Sequence, residues 1–294
     1  MRSKSVTLLS LCIALMSLDV SVQSNRVTVT TDEHYLHITS NGIPNHRTGK
    51  FPNANNPNTI QVQNHSFKVP LNPVQASRMT PLQLFPFGVA TNGIPFDPGA
   101  MEFWNRDRDS GWQFEALSDR INLGLDANRA HVQPGGAYHY HGLPPFAMPT
   151  GSNINQMVQA GYAADGFPIY VAYAYSDPKD MRSPLKIMRS SYRLKKGIRP
   201  SGPGGRFDGT FVQDYEFVSG AGDLDECNGR FGVTPSHPEG IYHYFLTEAY
   251  PFIPRFFRGT PDISFQRRGP GPGGDGRRPP PGGFGGRRPP PPPR

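Results

Sequence analysis

The chain has 294 residues and a formal net charge of +7. That charge lies almost wholly at the C-terminus, where residues 267–294 carry seven Arg and one Asp, whereas residues 25–266 hold 21 basic and 21 acidic side chains. The folded body therefore lacks the basic excess of a nucleic-acid-binding protein, and only the tail has the charge to bind an acidic partner.

The first 24 residues have the pattern of a secretory signal peptide. Arg2 and Lys4 form a short basic start, residues 6–18 are mainly apolar, and Val22-Gln23-Ser24 precedes the expected cleavage point. The apolar run is shorter than the roughly 20 residues that a membrane-spanning helix needs, and no later segment is long enough either. We therefore expect a secreted, extracellular protein without a membrane span.

Residues 25–266 are predicted to form one mostly β domain. Short β-rich segments recur between closely spaced Pro and Gly residues, and several alternate apolar and polar side chains with the period of two expected of half-buried strands. Weak helical periodicity is confined to residues 114–117 and 153–159. The pattern is typical of a β-sandwich or of an irregular multi-stranded β domain.

A repeated motif supplies the main candidate for a functional site. The segment Tyr138-His139-Tyr140-His141 is echoed downstream by Tyr242-His243-Tyr244-Phe245. Because alternate residues of a strand project to the same face, His139 and His141 are expected to point together, with Tyr138 and Tyr140 on the opposite face.

Two more histidines are candidates for the same site. His131 would return beside His139 and His141 if Pro134-Gly135-Gly136 reverses the chain, and His243 would join them if the two repeated strands lie side by side. Imidazoles grouped in this way bind transition metals such as copper or zinc. The alternative is an aromatic-rich packed strand whose rings are only hydrogen-bonded.

An acidic segment, Asp223-Leu224-Asp225-Glu226, precedes Cys227. Its oxygens could hold calcium, but the spacing does not match a helix–loop–helix calcium loop, so an acidic turn around Asp225 is the favoured interpretation. Cys12 lies in the expected signal peptide, which leaves Cys227 without a second cysteine in the mature chain. We expect a buried thiol there rather than an intermolecular bridge, with a soft ligand near the histidines as a further alternative.

The last part of the chain differs sharply in composition. Residues 269–294 consist of 10 Pro, 9 Gly, 5 Arg, one Asp and one Phe, a composition that cannot bury a core and that predicts a disordered tail over residues 267–294. Its arginine pairs suggest an arm that binds acidic matrix polymers or mineral, although a plain linker is equally consistent with them. Asn64-His65-Ser66 is a candidate glycosylation site.

The segments around the motif resemble the family named for it, the YHYH-domain family, over roughly residues 38–261. Besides Tyr138-His139-Tyr140-His141, the resemblance includes Asn92-Gly93-Ile94-Pro95-Phe96-Asp97-Pro98-Gly99, Ser110-Gly111-Trp112, Leu123-Gly124-Leu125-Asp126-Ala127-Asn128, Ala130-His131-Val132-Gln133-Pro134, Gly142-Leu143-Pro144, Asp165-Gly166-Phe167-Pro168-Ile169-Tyr170 and Leu224-Asp225-Glu226-Cys227-Asn228-Gly229. The resemblance implies a histidine-based metal site. Phe245 departs from the family pattern, which often has a histidine at this position, and residues 254–259 lack a cysteine that the family often has there.

The sequence predicts a secreted, non-catalytic matrix component with a histidine-based metal site, and a mineralised matrix such as shell is one setting. The alternative is a metal-dependent secreted enzyme. The chain has no Gly-x-Ser-x-Gly elbow, no His-Glu-x-x-His helix and no phosphate-binding loop. The oligomeric state does not follow from the sequence.

Overall fold

A computed structural model describes residues 24–148 and 156–266 of the protein. The expected signal peptide, apart from Ser24, and the expected disordered tail lie outside the described residues. The described part is mostly β, as predicted, and its helices are single 3₁₀ turns at Trp104–Arg106, Arg108–Ser110, Pro145–Ala147, Val212–Asp214 and Ile263–Phe265. The strands are β1 (Val27–Thr31), β2 (Tyr35–Ser40), β3 (His65–Pro70), β4 (Thr80–Pro81), β5 (Gly88–Ala90), β6 (Pro95–Phe96), β7 (Gly99–Phe103), β8 (Gln113–Glu115), β9 (Ala130–Val132), β10 (Tyr138–Tyr140), β11 (Gln159–Ala163), β12 (Pro168–Tyr170), β13 (Tyr173–Tyr175), β14 (Leu185–Ile187), β15 (Tyr192–Leu194), β16 (Tyr215–Phe217), β17 (Gly229–Thr234), β18 (His237–Phe245) and β19 (Phe256–Phe257).

An irregular eight-stranded sheet organises the molecule. Its strand order is β17-β18-β12-β11-β5-β6-β10-β9, and a three-stranded sheet of β1, β2 and β3 and several two-stranded pairs surround it. The β6–β10 and β12–β18 pairings are parallel, whereas the other pairings in this sheet are antiparallel. Two antiparallel hairpins therefore form the two edges: the first hairpin, of β9 and β10, and the second hairpin, of β17 and β18.

The main hydrophobic core uses the tyrosines of both repeated motifs. Tyr138, Tyr140, Tyr242 and Tyr244 are all buried and belong to the same apolar cluster. A second, smaller cluster contains Phe245, which follows His243 by two residues and points to the same side of the strand. The period-two alternation of each motif therefore sends tyrosines into the main core and directs the histidines to the opposite face.

The weak helical periodicity of residues 114–117 does not produce a helix, and residues 153–155 of the segment 153–159 lie outside the described residues. Phe114 lies in the middle of β8, and Gln159 is the first residue of β11. A segment as short as residues 114–117 does not form a stable isolated helix, so the pairing of β8 with β7 decides the conformation at Phe114. Within residues 24–148 and 156–266, the structure contains no helix long and apolar enough to cross a membrane.

Candidate metal centre

The first hairpin brings His131 next to the histidines of the motif. The backbone amide of Gly136 donates to the carbonyl of Gln133 at 2.8 Å, and Gly136 adopts a φ of 81°, which a glycine tolerates without strain. The chain therefore reverses as predicted, and His131 becomes the direct cross-strand partner of His139. His141 extends the same pairing, since its backbone amide donates to the carbonyl of Arg129 at 2.8 Å.

The three imidazoles form a compact group, which we call the histidine cluster. The ring centroids are 4.8 Å apart for His131 and His139, 4.7 Å for His131 and His141, and 4.7 Å for His139 and His141. One nitrogen of each ring lies within 4.8 Å of one nitrogen of each of the other two. Two nitrogens bound to one zinc ion, each at about 2.0–2.1 Å, can be at most about 4.2 Å apart. The three rings would therefore need to move only slightly toward one another to bind an ion.

Burial favours the neutral form of His131 and His141. His139 and His141 are only 2% and 1% exposed, and His131 is half-buried. Burial lowers the pKa of His141 well below its ordinary value, and the neighbouring His139 and His131 lower it further. Burial also lowers the pKa of His131. Neutral rings keep the lone pairs that a metal ion requires.

Hydrogen bonds orient two of the three rings. Nδ1 of His131 lies 2.9 Å from the carbonyl of Leu123, and Nδ1 of His139 lies 3.3 Å from the carbonyl of Ala137. A neutral ring that donates from Nδ1 to a carbonyl carries its lone pair on Nε2, as in many metal-binding histidines. His141 is fully buried, and within the described part of the chain neither of its ring nitrogens makes a hydrogen bond of normal geometry.

The motif tyrosines hold the strand from the opposite face. The hydroxyl of Tyr138 donates to a carboxylate oxygen of Asp126 at 2.7 Å. The hydroxyl of Tyr140 lies 2.6 Å from Nε2 of His46 and accepts a hydrogen bond from the side-chain amide of Asn92 at 2.9 Å. Burial raises the pKa values of both phenols. Tyr138 and Tyr140 therefore anchor β10 in the core and do not belong to the group of nitrogens that could hold a metal ion.

Two clefts meet at His139. The polar cleft has a volume of about 570 Å³ and is bordered by His65, Asp97 and Gln133. The apolar cleft has a volume of about 590 Å³, and its wall includes His131 and Glu102. Small molecules could therefore approach the histidine cluster from two sides.

Sequence reasoning did not identify His65, Asp97 or Glu102 as site residues. Asp97 comes directly after β6, and its backbone amide donates to the carbonyl of Tyr140 at 2.9 Å, so the parallel pairing of β6 with β10 brings it to the cluster. The sequence marked Asp97 only by its position in a segment, residues 92–99, that resembles the family. Asn64, the predicted glycosylation site, is exposed and borders the polar cleft.

His243 is not part of the histidine cluster. The repeated strands β10 and β18 do not lie side by side, because β12, β11, β5 and β6 separate them in the sheet. Nδ1 of His243 lies 2.9 Å from the carbonyl of Ile241, which repeats the contact of His139 with Ala137. The expectation that His243 joins the other three histidines is therefore wrong, because the order of the strands keeps β18 away from β10.

The two hairpins are nonetheless local copies of each other. In the first hairpin the amide of Asp126 donates to Ala130 at 2.8 Å, and in the second the amide of Asp225 donates to Gly229 at 2.9 Å. Arg129 and Asn228, each three residues after the aspartate, both have a positive φ. In both hairpins the aspartate also accepts a hydrogen bond from the first tyrosine of the motif.

The acidic segment around Asp225 forms a structural turn. Asp225 accepts hydrogen bonds from the Tyr242 hydroxyl at 3.0 Å and from the backbone amides of Cys227 and Gly229, also at 3.0 Å. Asp223 pairs instead with Lys186 and Arg189. Within the described ranges, the histidine cluster is the one group of three or more ligand residues close enough to share an ion.

Cys227 is a buried free thiol, as expected. It packs in the main core, and burial raises its pKa to about 12. The thiol is therefore protonated at neutral pH, and it does not belong to the group that could hold a metal ion.

The fold and the cluster together define a mostly β protein with three imidazoles close enough to share one metal ion. The family model described as YHYH protein matches residues 66–259, which is more than half of the chain. The protein therefore belongs to the YHYH family. Comparison with curated proteins and with solved structures finds no significant match.

Proposed function

We propose that the protein binds one transition-metal ion, zinc or copper, through His131, His139 and His141. The observation that supports this most is that one nitrogen from each of the three rings lies within 4.8 Å of the others. Imidazole nitrogens suit both metals. Three protein ligands leave a fourth coordination position, which in this protein would face a cleft bordered by His139.

The proposed setting is extracellular, with the metal-binding domain as a non-catalytic component of a matrix. The signal-like N-terminal sequence and the composition of residues 267–294 support this role. The tail carries the excess positive charge of the chain, so it would bind acidic polymers or mineral while the β domain carries the metal site.

A metal-dependent enzyme is the second candidate, and the clefts beside His139 favour it. The metal position would be accessible to a small molecule, and the carboxylates of Asp97 and Glu102 border the two clefts beside His139. Such carboxylates could serve as proton acceptors beside a metal-bound water.

Metal analysis tests the proposed site. Protein purified after exposure to zinc or copper should contain about one equivalent by mass spectrometry, and His139→Ala/His141→Ala should contain almost none. His243→Ala is the matched control, because it removes a buried histidine at the corresponding position of the second hairpin. Equal metal content in all three proteins would contradict the site.

Two further measurements separate the matrix role from the enzyme. Deletion of residues 267–294 should release the protein from polyaspartate beads, and replacing the seven tail arginines with Gln should do the same while keeping the Pro and Gly content. Unchanged retention would contradict the adhesive tail. Turnover of a substrate panel that disappears in His139→Ala/His141→Ala but persists in His243→Ala would support the enzyme instead.

A further inference from the structure

The second hairpin carries its own polar cluster at the place that corresponds to the histidine cluster. Arg230 is the cross-strand partner of His243, just as His131 is the partner of His139. Phe245 lies two residues after His243, where the first hairpin has His141. A permanently charged guanidinium repels a cation, so this position suits a ligand of the opposite charge.

Several buried polar atoms of this cluster make no hydrogen bond of normal geometry. His243 is 0% exposed and Tyr170 is 1% exposed, and their rings meet edge to face with centroids 5.4 Å apart. Within the described part of the chain, the buried atoms at this place without a hydrogen bond of normal geometry are Nε of Arg230, Nε2 of His243, the hydroxyl of Tyr170 and Nδ1 of His237. The side chains of Thr234 and Ser236 also lie close to the Tyr170 hydroxyl. Buried polar groups in native proteins are normally satisfied, so a water molecule or an ion is expected between them.

The charge balance favours an ion over water. Nη2 of Arg230 donates to the carbonyl of Tyr175 at 2.6 Å, but among the described residues no carboxylate forms an ion pair with Arg230. Asp223 and Asp177 attract Arg230 electrostatically, yet neither forms an ion pair with it, and Asp223 pairs with Lys186 and Arg189 instead. A partly buried guanidinium without a counterion is unfavourable, and a bound anion would remove that cost.

We propose that the second hairpin binds one small inorganic anion between Arg230, His243 and Tyr170. Arg230 and Tyr170 would donate hydrogen bonds to the anion from Nε and from the phenol. Nδ1 of His243 already donates to Ile241, so Nε2 of the neutral ring presents a lone pair. The anion therefore favours protonated His243, and its binding is coupled to the uptake of one proton.

The groups that act on His243 fix the direction of this pH dependence. Arg230 and His237 both disfavour its protonation, and Tyr170 contacts its ring. An anion would offset the two positive neighbours and should bind more tightly as the pH falls. A water molecule could instead accept from Arg230 and Tyr170 and donate to His243, with no proton uptake.

Bromide is the probe that tests the proposal. Crystals of the full chain grown in sodium bromide should show one anomalous peak within hydrogen-bonding distance of Arg230 Nε. In solution with a metal chelator present, bromide should raise the denaturation midpoint relative to gluconate at equal ionic strength, with an affinity several-fold higher at pH 5.5 than at pH 7.5. Because the histidine cluster is empty in this experiment, its outcome is independent of the proposed metal site.

Variants assign the effect to these residues. Arg230→Met should abolish the bromide effect, and Tyr170→Phe, which keeps the ring and its packing, should weaken bromide binding about ten-fold. Arg182→Met is the matched control, because its side chain is 92% exposed, and it should behave like the unmodified protein. A water molecule in place of the anomalous peak would overturn the proposal. So would a bromide effect in Tyr170→Phe equal to that in Arg182→Met. If Arg230→Met does not fold, the comparison of Tyr170→Phe with Arg182→Met still tests the proposal.

Discussion

His131 lies directly opposite His139 across the first hairpin, with the two ring centroids 4.8 Å apart. This cross-strand relationship turns a sequence motif with two histidines into a cluster of three. Arg230 and His243 have the same relationship in the second hairpin. The two edges of one sheet therefore present the same backbone arrangement with different side chains.

Zinc should stabilise the fold through the histidine cluster. At a free zinc concentration 100 times the dissociation constant, binding to the native state alone would raise the free energy of unfolding by about 2.7 kcal/mol. Urea denaturation with and without zinc measures this gain. His131→Ala should lose most of it and His243→Ala should keep it, so equal gains in both variants would exclude a role for His131.

The second hairpin should accept a metal ion once the missing ligands are restored. Arg230→His/Phe245→His recreates, around His243, the pattern of His131, His139 and His141, because the two hairpins share their register and hydrogen bonds. Metal analysis should then give about two equivalents instead of one. Adding His243→Ala to this variant should return the content to one, and a content that stays at one without that third change would show that the hairpins are not equivalent.

Acid should destabilise the protein partly through His243. Burial, reinforced by Arg230 and His237, lowers the pKa of His243 from 6.5 to about 4. Between pH 6.5 and pH 4 the unfolded chain binds the proton more readily than the native protein does. The contribution of His243 to the free energy of unfolding is therefore fully present above pH 6.5 and is lost as the pH falls toward 4. Relative to His243→Gln, the unmodified protein should lose up to about 3 kcal/mol across this window.

Urea denaturation in low-halide buffer from pH 7 to pH 4 measures that difference. His34→Gln, at an exposed position, is the control for loss of a histidine in general. A stability difference between the unmodified protein and His243→Gln that does not change with pH would contradict the assignment.

The tyrosines of the first motif should contribute to stability more than to chemistry. Tyr138→Phe removes the donor to Asp126 at a residue that is 0% exposed, and hydrogen bonds to charged groups contribute about 1.5–3 kcal/mol. The free energy of unfolding should fall by about that amount, while metal content stays near one equivalent. Tyr173→Phe, on a half-buried tyrosine in a separate two-stranded sheet, is the control. Loss of metal without loss of stability would instead indicate that Tyr138 acts at the metal site.

The sequence by itself determined the local features of the site. Period-two alternation predicted that His139 and His141 share a face and that Tyr138 and Tyr140 take the other, and the glycine-rich turn predicted the return of His131. These inferences hold because side-chain alternation and chain reversal depend on residues close together in the sequence. The mostly β class followed from the same local patterns, whereas the family followed from the resemblance of the motif segments to known sequences.

Only the tertiary structure decided which distant residues meet. His243 has the same local setting as His139, yet four intervening strands keep it out of the cluster, whereas Asp97 joins the cleft because β6 runs parallel to β10. Strand order depends on the packing of the whole core and leaves no period in the sequence. The repeated motif thus predicted two similar strands, and the order of the sheet placed their hairpins at opposite edges, which keeps His243 apart from the histidine cluster.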